Sequence, residues 1–430
     1  MMLRFDRSIR YDPEVNSHKE HSFAGNVIST RKTVDSLGSV KDLDPEWRSY
    51  KEREQPVFLV HYKKNLYDQE MKDAIMRVLD SPSMVHGEES KREIALFEKE
   101  FGYYCGRRYA VMFNSALHAL YLLYKLLGIS EGDEVILAPN IEPANAAVVV
   151  QAGAKPVFVD ADEETLNMDV TKIEKKITGR TKAIHPIHAH GHPTDMDPVI
   201  EIAKKHNLLV IEDGTHATGS KYKERRLPIG DVGVFGMVTK CLWLPTGGAM
   251  VAMDDAEVYE RLRLIMSWPG RRAPAEVKDL KGKGIIHSLK TISDDIGAAV
   301  GRVQLRHLDE YTEAQRRNAK TYTELLQETP LTLPVEKEYA RHAFLRYVVR
   351  TEKRDALQDY LEKHGVGYGR LYRTPAHLYS YYHETYGYKK GDFPVVEKIK
   401  QTELGLPEPT KDRTRWEMEY TARKVKEFFR

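Results

Sequence analysis

Short apolar runs alternate with amphipathic stretches along most of this chain. One run, Leu208–Ile211, leads directly into two acidic residues, of which the second is Asp213. Another run, Val232–Val238, is followed closely by Lys240. Runs of this length, bounded by turn residues, predict buried β-strands. The pattern therefore predicts two neighbouring strands that carry an acid and an amine at their ends.

The same alternation predicts further elements on both sides of these two strands. Helices are predicted where apolar residues recur at helical spacing, and strands where they form short runs. The predicted strands include residues 110–115, 132–140, 155–160 and 181–187, and the predicted helices include residues 68–81, 94–101, 116–127 and 295–305. Because strands and helices alternate with short connections, we expect an α/β fold with a mostly parallel sheet and helices on both faces.

The character of the sequence changes along the chain and predicts four regions. Residues 1–55 are polar with scattered apolar positions, and we interpret them as an N-terminal extension. Residues 56–265 form the predicted large domain, and residues 266–330 a charged interface loop with connecting helices. Residues 331–430 predict a smaller C-terminal α/β domain that contains a strand at Phe344–Val349.

Composition and charge argue against several classes of protein. The formal net charge of +2 over 430 residues gives no sign of a surface for nucleic acid or for an anionic membrane. No apolar stretch approaches the ~18 residues that span a bilayer. The two cysteines, Cys105 and Cys241, indicate neither a disulfide framework nor a thiolate metal site. We therefore expect a cytoplasmic protein without membrane or nucleic-acid partners.

The acid and the amine at the predicted strand ends have a possible joint chemistry. In open α/β sheets, ligands bind at the carboxyl ends of the strands. A lysine such as Lys240 can form a Schiff base with pyridoxal 5'-phosphate (PLP), while a carboxylate such as that of Asp213 keeps the pyridine nitrogen protonated. The alternative for these two residues alone is a plain salt bridge at the end of a strand.

The surrounding motifs resemble those of the DegT/DnrJ/EryC1/StrS family of sugar aminotransferases. The resemblance runs from about Pro56 to the C-terminus, and its motifs occur in order along that length. The residues that carry it around the central strands are Ile211-Glu212-Asp213, His216-Ala217-Thr218-Gly219, Gly230-Asp231, Phe235, Lys240 and Gly247-Gly248. The resemblance implies a fold-type I aminotransferase architecture, PLP as the cofactor, Lys240 as the Schiff-base residue and Asp213 as the partner of the ring nitrogen. His216 is implied as a hydrogen-bond partner of the phenolic oxygen of PLP.

The phosphate of PLP has a candidate site at the start of the helix at residues 116–127. Free backbone N–H groups and the helix dipole favour an anion at such a terminus. Asn114 and Ser115 lie there and are predicted to contact the phosphate; as an alternative, one of them is simply an N-cap residue. Relatives carry a phosphate-binding serine where this chain has Gly236, and a cross-subunit asparagine where it has Lys290. Lys290 is therefore either a phosphate contact from the neighbouring subunit or a solvated loop lysine.

Two further stretches depart from simple expectations. The segment after the predicted strand that starts at residue 132, Ile141-Glu142-Pro143-Ala144-Asn145, lacks the aromatic residue that stacks on the cofactor ring in relatives. Either an apolar side chain covers the ring, or an aromatic residue arrives from elsewhere. His188, His190 and His192 alternate along one segment, which suggests a metal site, but no carboxylate cluster accompanies them. We predict no metal, and place His188 either beside the cofactor or in the core.

The resemblance implies transfer of an amino group from an amino acid, glutamate or glutamine, to a keto-sugar linked to a nucleotide. Retention of Lys240 favours transamination, because a subset of relatives that dehydrate sugars carries histidine there. Two alternatives stay open: another PLP-dependent reaction, such as dehydration or aromatisation of a cyclic keto-substrate, or a regulatory protein that binds PLP weakly. A homodimer with shared active sites is expected.

Overall fold

The computed structural model describes residues 67–81, 92–140, 142–239, 241–266, 293–370 and 372–430. The predictions for the extension at residues 1–55, for Ile141, for Lys240, for Lys290 and for most of the charged interface loop lie outside these residues. All of the described residues belong to one compact unit, Val57–Arg430.

Twelve helices and twelve strands are labelled below in chain order. The helices are α1 (Gln69–Leu79), α2 (Glu93–Cys105), α3 (Ala116–Leu126), α4 (Pro143–Gln151), α5 (Met196–His206), α6 (Ala256–Met266), α7 (Asp295–Arg306), α8 (Leu308–Leu326), α9 (Arg354–Lys363), α10 (Ser380–Tyr386), α11 (Pro394–Thr402) and α12 (Arg415–Phe429). The strands are β1 (Tyr109–Phe113), β2 (Glu134–Leu137), β3 (Lys155–Phe158), β4 (Thr181–Ile184), β5 (Leu209–Asp213), β6 (Lys221–Tyr222), β7 (Arg225–Arg226), β8 (Val232–Gly236), β9 (Ala249–Met253), β10 (Ala340–Arg341), β11 (Val348–Arg350) and β12 (Glu403–Gly405).

The central sheet has seven strands in the order β1-β9-β8-β5-β4-β2-β3. The neighbours within β3-β2-β4-β5-β8 are parallel, whereas β9 is antiparallel to both β8 and β1. The prediction of a mostly parallel α/β sheet is therefore confirmed. Strand β9 was not predicted. It is antiparallel because the connection from β8 folds back on itself: the N–H of Met237 donates to the carbonyl oxygen of Gly248 at 2.8 Å, and the N–H of Leu244 donates to that of Met237 at 3.1 Å. A parallel pair needs a crossover that carries the chain back to the other end of the sheet.

The two faces of the sheet carry separate apolar cores, because successive side chains of a strand point to opposite faces. In β9, Ala249, Val251 and Met253 belong to one cluster, while Met250 and Ala252 belong to the other. All five of these residues are buried. Burial on both faces explains why the strands are continuous apolar runs without polar alternation.

The C-terminal part has its own apolar cluster, with members on α8, β11, α9, β12 and α12. Strand β11 pairs antiparallel with β12. The predicted strand at Phe344–Val349 is wrong in its first four residues, since β11 begins only at Val348. Phe344 has a φ of 52°, which a strand does not accommodate. The side chain of Gln315 donates to the carbonyl oxygens of Ala343 and Phe344, which occupies groups that a strand would use.

Within the described ranges, no helix combines the length and the apolar character that crossing a bilayer requires.

Candidate active site

Three strands bring their carboxyl ends to the same edge of the central sheet. Asp213, the last residue of β5, pairs with Val234 of β8. Gly236 at the end of β8 and Phe113 at the end of β1 both pair with Ala249, from opposite sides of β9. The turns that follow β5, β8 and β1 therefore start side by side, which agrees with the ligand-binding edge of an open α/β sheet.

The carboxylate of Asp213 is buried at this edge, with 8% of the residue exposed. Its Oδ2 atom accepts a hydrogen bond from Nδ2 of Asn145 at 2.7 Å, and its Oδ1 atom accepts one from the backbone N–H of Thr215 at 2.8 Å. Asn145 lies in the first turn of α4 and also contacts Nε2 of His185 at 3.2 Å. The carboxylate is thus held in one orientation, with lone pairs left to accept a further N–H group.

The plain salt bridge that was considered for Asp213 has no partner in the described part of the chain, where no lysine or arginine pairs with this carboxylate. Lys240 itself lies outside the described residues. On either side of it, Thr239 and Leu242 exchange backbone hydrogen bonds of 3.3 and 3.2 Å. Thr239 is 5% exposed, and its hydroxyl oxygen has no hydrogen-bond partner among the described residues.

His216 lies three residues after Asp213 and is half-buried. Its ring stacks on that of His190, with 6.3 Å between the ring centroids. Burial, together with the positive charge of Arg346, lowers the pKa of His216 to about 4, although Asp213 acts in the opposite direction. Burial and the charge of His216 also hold the pKa of His190 well below its ordinary value. Both imidazoles are therefore neutral near pH 7, so that each ring has one donor and one acceptor nitrogen.

His188 takes the second of its two predicted places, the core. The ring is fully buried, with Nε2 at 2.9 Å from Oε2 of Glu212 and Nδ1 accepting from the backbone N–H of Thr194 at 3.0 Å. Glu212 precedes Asp213 on β5, so its side chain points to the opposite face of the sheet. Because both ring nitrogens bind protein groups, neither is left to hydrogen-bond to a cofactor.

The alternating histidines contact different groups. His192 donates from Nδ1 to the carbonyl oxygen of Pro193 at 2.7 Å, whereas His190 faces His216. In the described parts of the chain, no group of three histidine, cysteine or acidic residues is arranged to bind a metal ion.

Asn114 and Ser115 lie between β1 and α3, at the predicted phosphate site. Ser115 occupies the N-cap position, but its side chain makes no capping hydrogen bond. Asn114 is exposed, and its Oδ1 atom lies 3.3 Å from Nδ1 of His118. The first N–H groups of α3 are therefore not capped by Ser115 and are suited to an anion.

Sequence reasoning missed four residues around this site. Asn145 and Thr215 hold the carboxylate of Asp213, as described above. Tyr372 hydrogen-bonds to Glu142, and burial together with this carboxylate raises the pKa of Tyr372. The sequence did carry a pattern that could have indicated Asn145, because Pro143 marks the start of a helix and places Asn145 in its first turn. Glu142 had no such pattern, since its contact with Tyr372 joins segments that are distant in sequence, and the same holds for the contact of Thr215 with Gly236.

The residues at this edge suit PLP. The oriented carboxylate of Asp213 matches a protonated pyridine nitrogen, which needs a hydrogen-bond acceptor. The unpaired, buried hydroxyl of Thr239 and the uncapped start of α3 are donors for phosphate oxygens. Donors and an acceptor therefore follow strands that end at the same edge of the sheet.

Comparison with known proteins identifies the family. Residues 65–415 match the DegT/DnrJ/EryC1/StrS aminotransferase family. The chain is 33% identical to a pleiotropic regulatory protein of Geobacillus stearothermophilus, covering 84% of this chain and 96% of that protein. It is 35% identical to dTDP-3-amino-3,4,6-trideoxy-alpha-D-glucose transaminase of Streptomyces venezuelae, covering 78% of this chain and 86% of that one.

A crystal structure of DesV from S. venezuelae in complex with a ketimine intermediate superposes with a TM-score of 0.79 at 32% identity, covering 86% of this chain and 98% of DesV. The prediction of a PLP-dependent aminotransferase is thereby confirmed. By its sequence and its fold, this chain belongs to the DegT/DnrJ/EryC1/StrS aminotransferase family.

Proposed function

We propose that this protein transfers an amino group from glutamate or glutamine to a nucleotide-linked keto-sugar. The observation that carries the proposal is the carboxylate of Asp213, which is buried at the sheet edge and held on both oxygens by Asn145 and Thr215. The transaminase from Streptomyces venezuelae, whose name specifies a dTDP-linked amino sugar, supports the substrate class.

Asp213 keeps a proton on the ring nitrogen of the cofactor. When bound, PLP supplies an aldehyde for the amino group and a ring that accepts electrons. The ring accepts electrons well only while its nitrogen is protonated, so a fixed carboxylate must lie beside that nitrogen. The amide of Asn145 and the N–H of Thr215 keep the carboxylate of Asp213 in this position.

Lys240 binds the cofactor aldehyde when the enzyme is at rest and moves protons during turnover. With PLP and the amino donor bound, the amine of Lys240 would remove the proton from Cα of the donor and return it, as general base and acid. His216, which is neutral because its pKa lies near 4, donates to or accepts from the phenolic oxygen of the cofactor. The start of α3, at Asn114 and Ser115, binds the phosphate.

The proposed working unit is a homodimer in which each active site uses residues of both subunits. Lys290, which replaces the asparagine of relatives, is the proposed phosphate contact from the neighbouring subunit. We also propose a cytoplasmic location, supported by Cys105 and Cys241, which are both buried as free thiols.

The test is transfer of labelled nitrogen from the amino donor to the sugar. Purified protein loaded with PLP is incubated with isotopically labelled glutamate or glutamine and dTDP-linked keto-sugars, and the products are identified by mass spectrometry. We expect a labelled amino sugar. A dehydrated or aromatised product without the label would support the other PLP-dependent reaction instead.

The matching variant is Lys240→Ala, which removes both the attachment point and the proton carrier. We expect no turnover, while the fold and noncovalent binding of PLP persist. Borohydride reduction of the wild-type protein followed by peptide mapping locates the labelled lysine. A pyridoxyl label on a lysine other than Lys240 would contradict the assignment.

A regulatory role is the second candidate, because one relative carries the name of a pleiotropic regulatory protein. The visible absorbance of bound PLP, together with turnover in the labelling experiment, separates the two. A wild-type protein that retains no PLP after purification and forms no labelled product would favour regulation over catalysis.

A further inference from the structure

The end of β8 has no room for a side chain at Gly236. A Cβ atom built there would lie 2.8 Å from Cγ2 and 3.1 Å from Oγ1 of Thr215. The first distance is shorter than any van der Waals contact between carbon atoms. Thr215 therefore fills the space in which a side chain at the end of β8 would begin, and its hydroxyl oxygen lies 3.1 Å from that point.

The hydroxyl of Thr215 is fixed as an acceptor but retains its own proton for donation. The backbone N–H of Gly236 donates to Oγ1 of Thr215 at 2.9 Å. The backbone N–H of Thr215 donates in turn to Oδ1 of Asp213 at 2.8 Å. A hydroxyl group can donate one hydrogen bond and accept two. In the described part of the chain, no group accepts a hydrogen bond from the hydroxyl of Thr215.

A second hydroxyl lies three residues beyond Gly236. Oγ1 of Thr239 has no partner among the described residues, although Thr239 is 5% exposed. A buried hydroxyl without a partner is destabilising, so a ligand or a water molecule usually satisfies it. Thr239 and Thr215 thus offer two O–H donors along the turns that follow β8 and β5.

The helix α3 starts at the same edge and adds a field that favours anions. Phe113, at the end of β1, lies level with Gly236 across β9 because both pair with Ala249. The N-terminus of this 11-residue helix carries backbone N–H groups and positive partial charge. A ligand that meets O–H and N–H donors must itself be an acceptor, and a phosphate group is a strong one.

We propose that Thr215 supplies the hydroxyl that binds the phosphate of PLP, in place of the hydroxyl that β8 lacks at Gly236. The inference rests on the proposed function, since it assumes that PLP binds at this edge. The turn after β5 then serves both ends of the cofactor, with Asp213 at the ring nitrogen and Thr215 at the phosphate. Thr239 and the start of α3 donate to the remaining phosphate oxygens.

The first experiment compares PLP with pyridoxal, which lacks the phosphate. Binding to the cofactor-free protein is measured for the wild type, Thr215→Val and Thr215→Ser. Loss of a hydrogen bond to a charged group weakens binding by about 10- to 100-fold. We expect that loss for PLP in Thr215→Val, no change for pyridoxal, and near wild-type PLP binding in Thr215→Ser.

Equal weakening of PLP and pyridoxal in Thr215→Val would overturn the inference, because it would show a structural role for the hydroxyl. Unchanged binding of PLP in Thr215→Val would overturn it as well. If the wild type binds neither PLP nor pyridoxal, the proposed function fails instead, so the two failures are distinguishable.

The second experiment moves the hydroxyl back to β8. Gly236→Ser alone places its Cβ against Cγ2 of Thr215 and should lower the melting temperature of the cofactor-free protein. Thr215→Ala alone should weaken PLP binding. With the threonine hydroxyl and methyl removed, the next atom is Cβ of residue 215, at an ordinary 3.5 Å.

The double variant Thr215→Ala/Gly236→Ser should therefore recover both the melting temperature and the affinity for PLP. A double variant that regains its melting temperature but binds PLP as weakly as Thr215→Ala would contradict the inference. The melting temperatures keep a folding defect separate from a loss of phosphate binding.

Discussion

Asp213 is distinguished from other buried acids by what its two oxygens accept. Asn145 and the N–H of Thr215 orient the carboxylate without neutralising it, since both are uncharged donors. Asp160 also ends a predicted strand, but its carboxylate accepts the N–H groups of Val395 and Val396 at the start of α11. One acid is left able to bind a ligand, and the other caps a helix.

We predict that Asp213→Asn lowers turnover by several orders of magnitude while the fold persists. The amide has nearly the shape of the carboxylate but lacks the charge that keeps a ring nitrogen protonated. Steady-state kinetics and thermal unfolding are the measurements. Asp160→Asn is the control, and should lower the stability without a comparable effect on kcat. Near wild-type kcat in Asp213→Asn would show that another group protonates the ring.

The lowered pKa of His192 predicts that the protein loses stability in acid. Burial lowers its pKa to about 4 in the folded protein, against about 6.5 in the unfolded chain. Because the folded pKa is lower, the unfolded chain binds the proton more tightly. The contribution of neutral His192 to the free energy of unfolding is fully present above pH 6.5 and is lost as the pH falls towards 4. A pKa shift of this size corresponds to roughly 3 kcal/mol.

We therefore expect His192→Gln to unfold with a smaller difference in free energy between pH 7 and pH 4 than the wild type does. Urea denaturation at both pH values measures it, within the range where both proteins are folded. Identical pH dependence in the two proteins would show that His192 titrates normally in the folded state.

At the scale of elements, the helices α2 and α7 approach each other closely at Gly301. A Cβ atom added there would lie 2.5 Å from the ring of Phe97 on α2, and Phe97 is fully buried. The two helices also share an ion network, in which Arg302 bonds to Glu93 and Glu100. The glycine thus permits a packing distance that any side chain would increase.

We predict that Gly301→Ala destabilises the protein by about 1 kcal/mol. Replacing glycine inside a helix gains about 1 kcal/mol in propensity, whereas overpacking a core costs about 1–3 kcal/mol. Thermal unfolding measures the difference. Gly179→Ala is the control, because no atom lies within 4 Å of its added Cβ and its φ is not positive. Gly179→Ala should be neutral or slightly stabilising; a stabilised Gly301→Ala would contradict the packing argument.

At the scale of the whole molecule, the proposed dimer and the cofactor depend on each other. If Lys290 contacts the phosphate bound by the neighbouring subunit, PLP has all of its protein contacts only in the dimer. A ligand that binds one state shifts the equilibrium towards it. Leu117 at the start of α3 and Val238 after β8 are exposed apolar residues at the same sheet edge, where a partner subunit would cover them.

We predict that PLP shifts the protein towards the dimer in analytical ultracentrifugation at micromolar concentration. Lys290→Ala should weaken this shift and the retention of PLP. The control is Lys320→Ala, which removes an exposed lysine of α8 that lies 4.0 Å from Glu324. A monomer that binds one PLP per chain and transfers amino groups would contradict the shared site.

The sequence was sufficient for six of the seven strands of the central sheet, all except β9, and it predicted the two residues of the expected chemistry. Strand β5 was expected at residues 208–211 and is observed at Leu209–Asp213; helix α3 differs from its prediction by one residue. Buried parallel strands are apolar on both faces, so their signal is local and strong. The family resemblance added the cofactor, because its motifs follow one another along the chain.

Tertiary structure decided the contacts that no local pattern carries. The orientation of β9 depends on a direct chain reversal, and the late start of β11 depends on Gln315, which lies on another element. The same holds for His188, which turned out to pair with Glu212, and for Thr215, which fills the space beside Gly236. Periodicity reports which side of an element is buried, whereas the atom that meets a side chain depends on how distant segments pack.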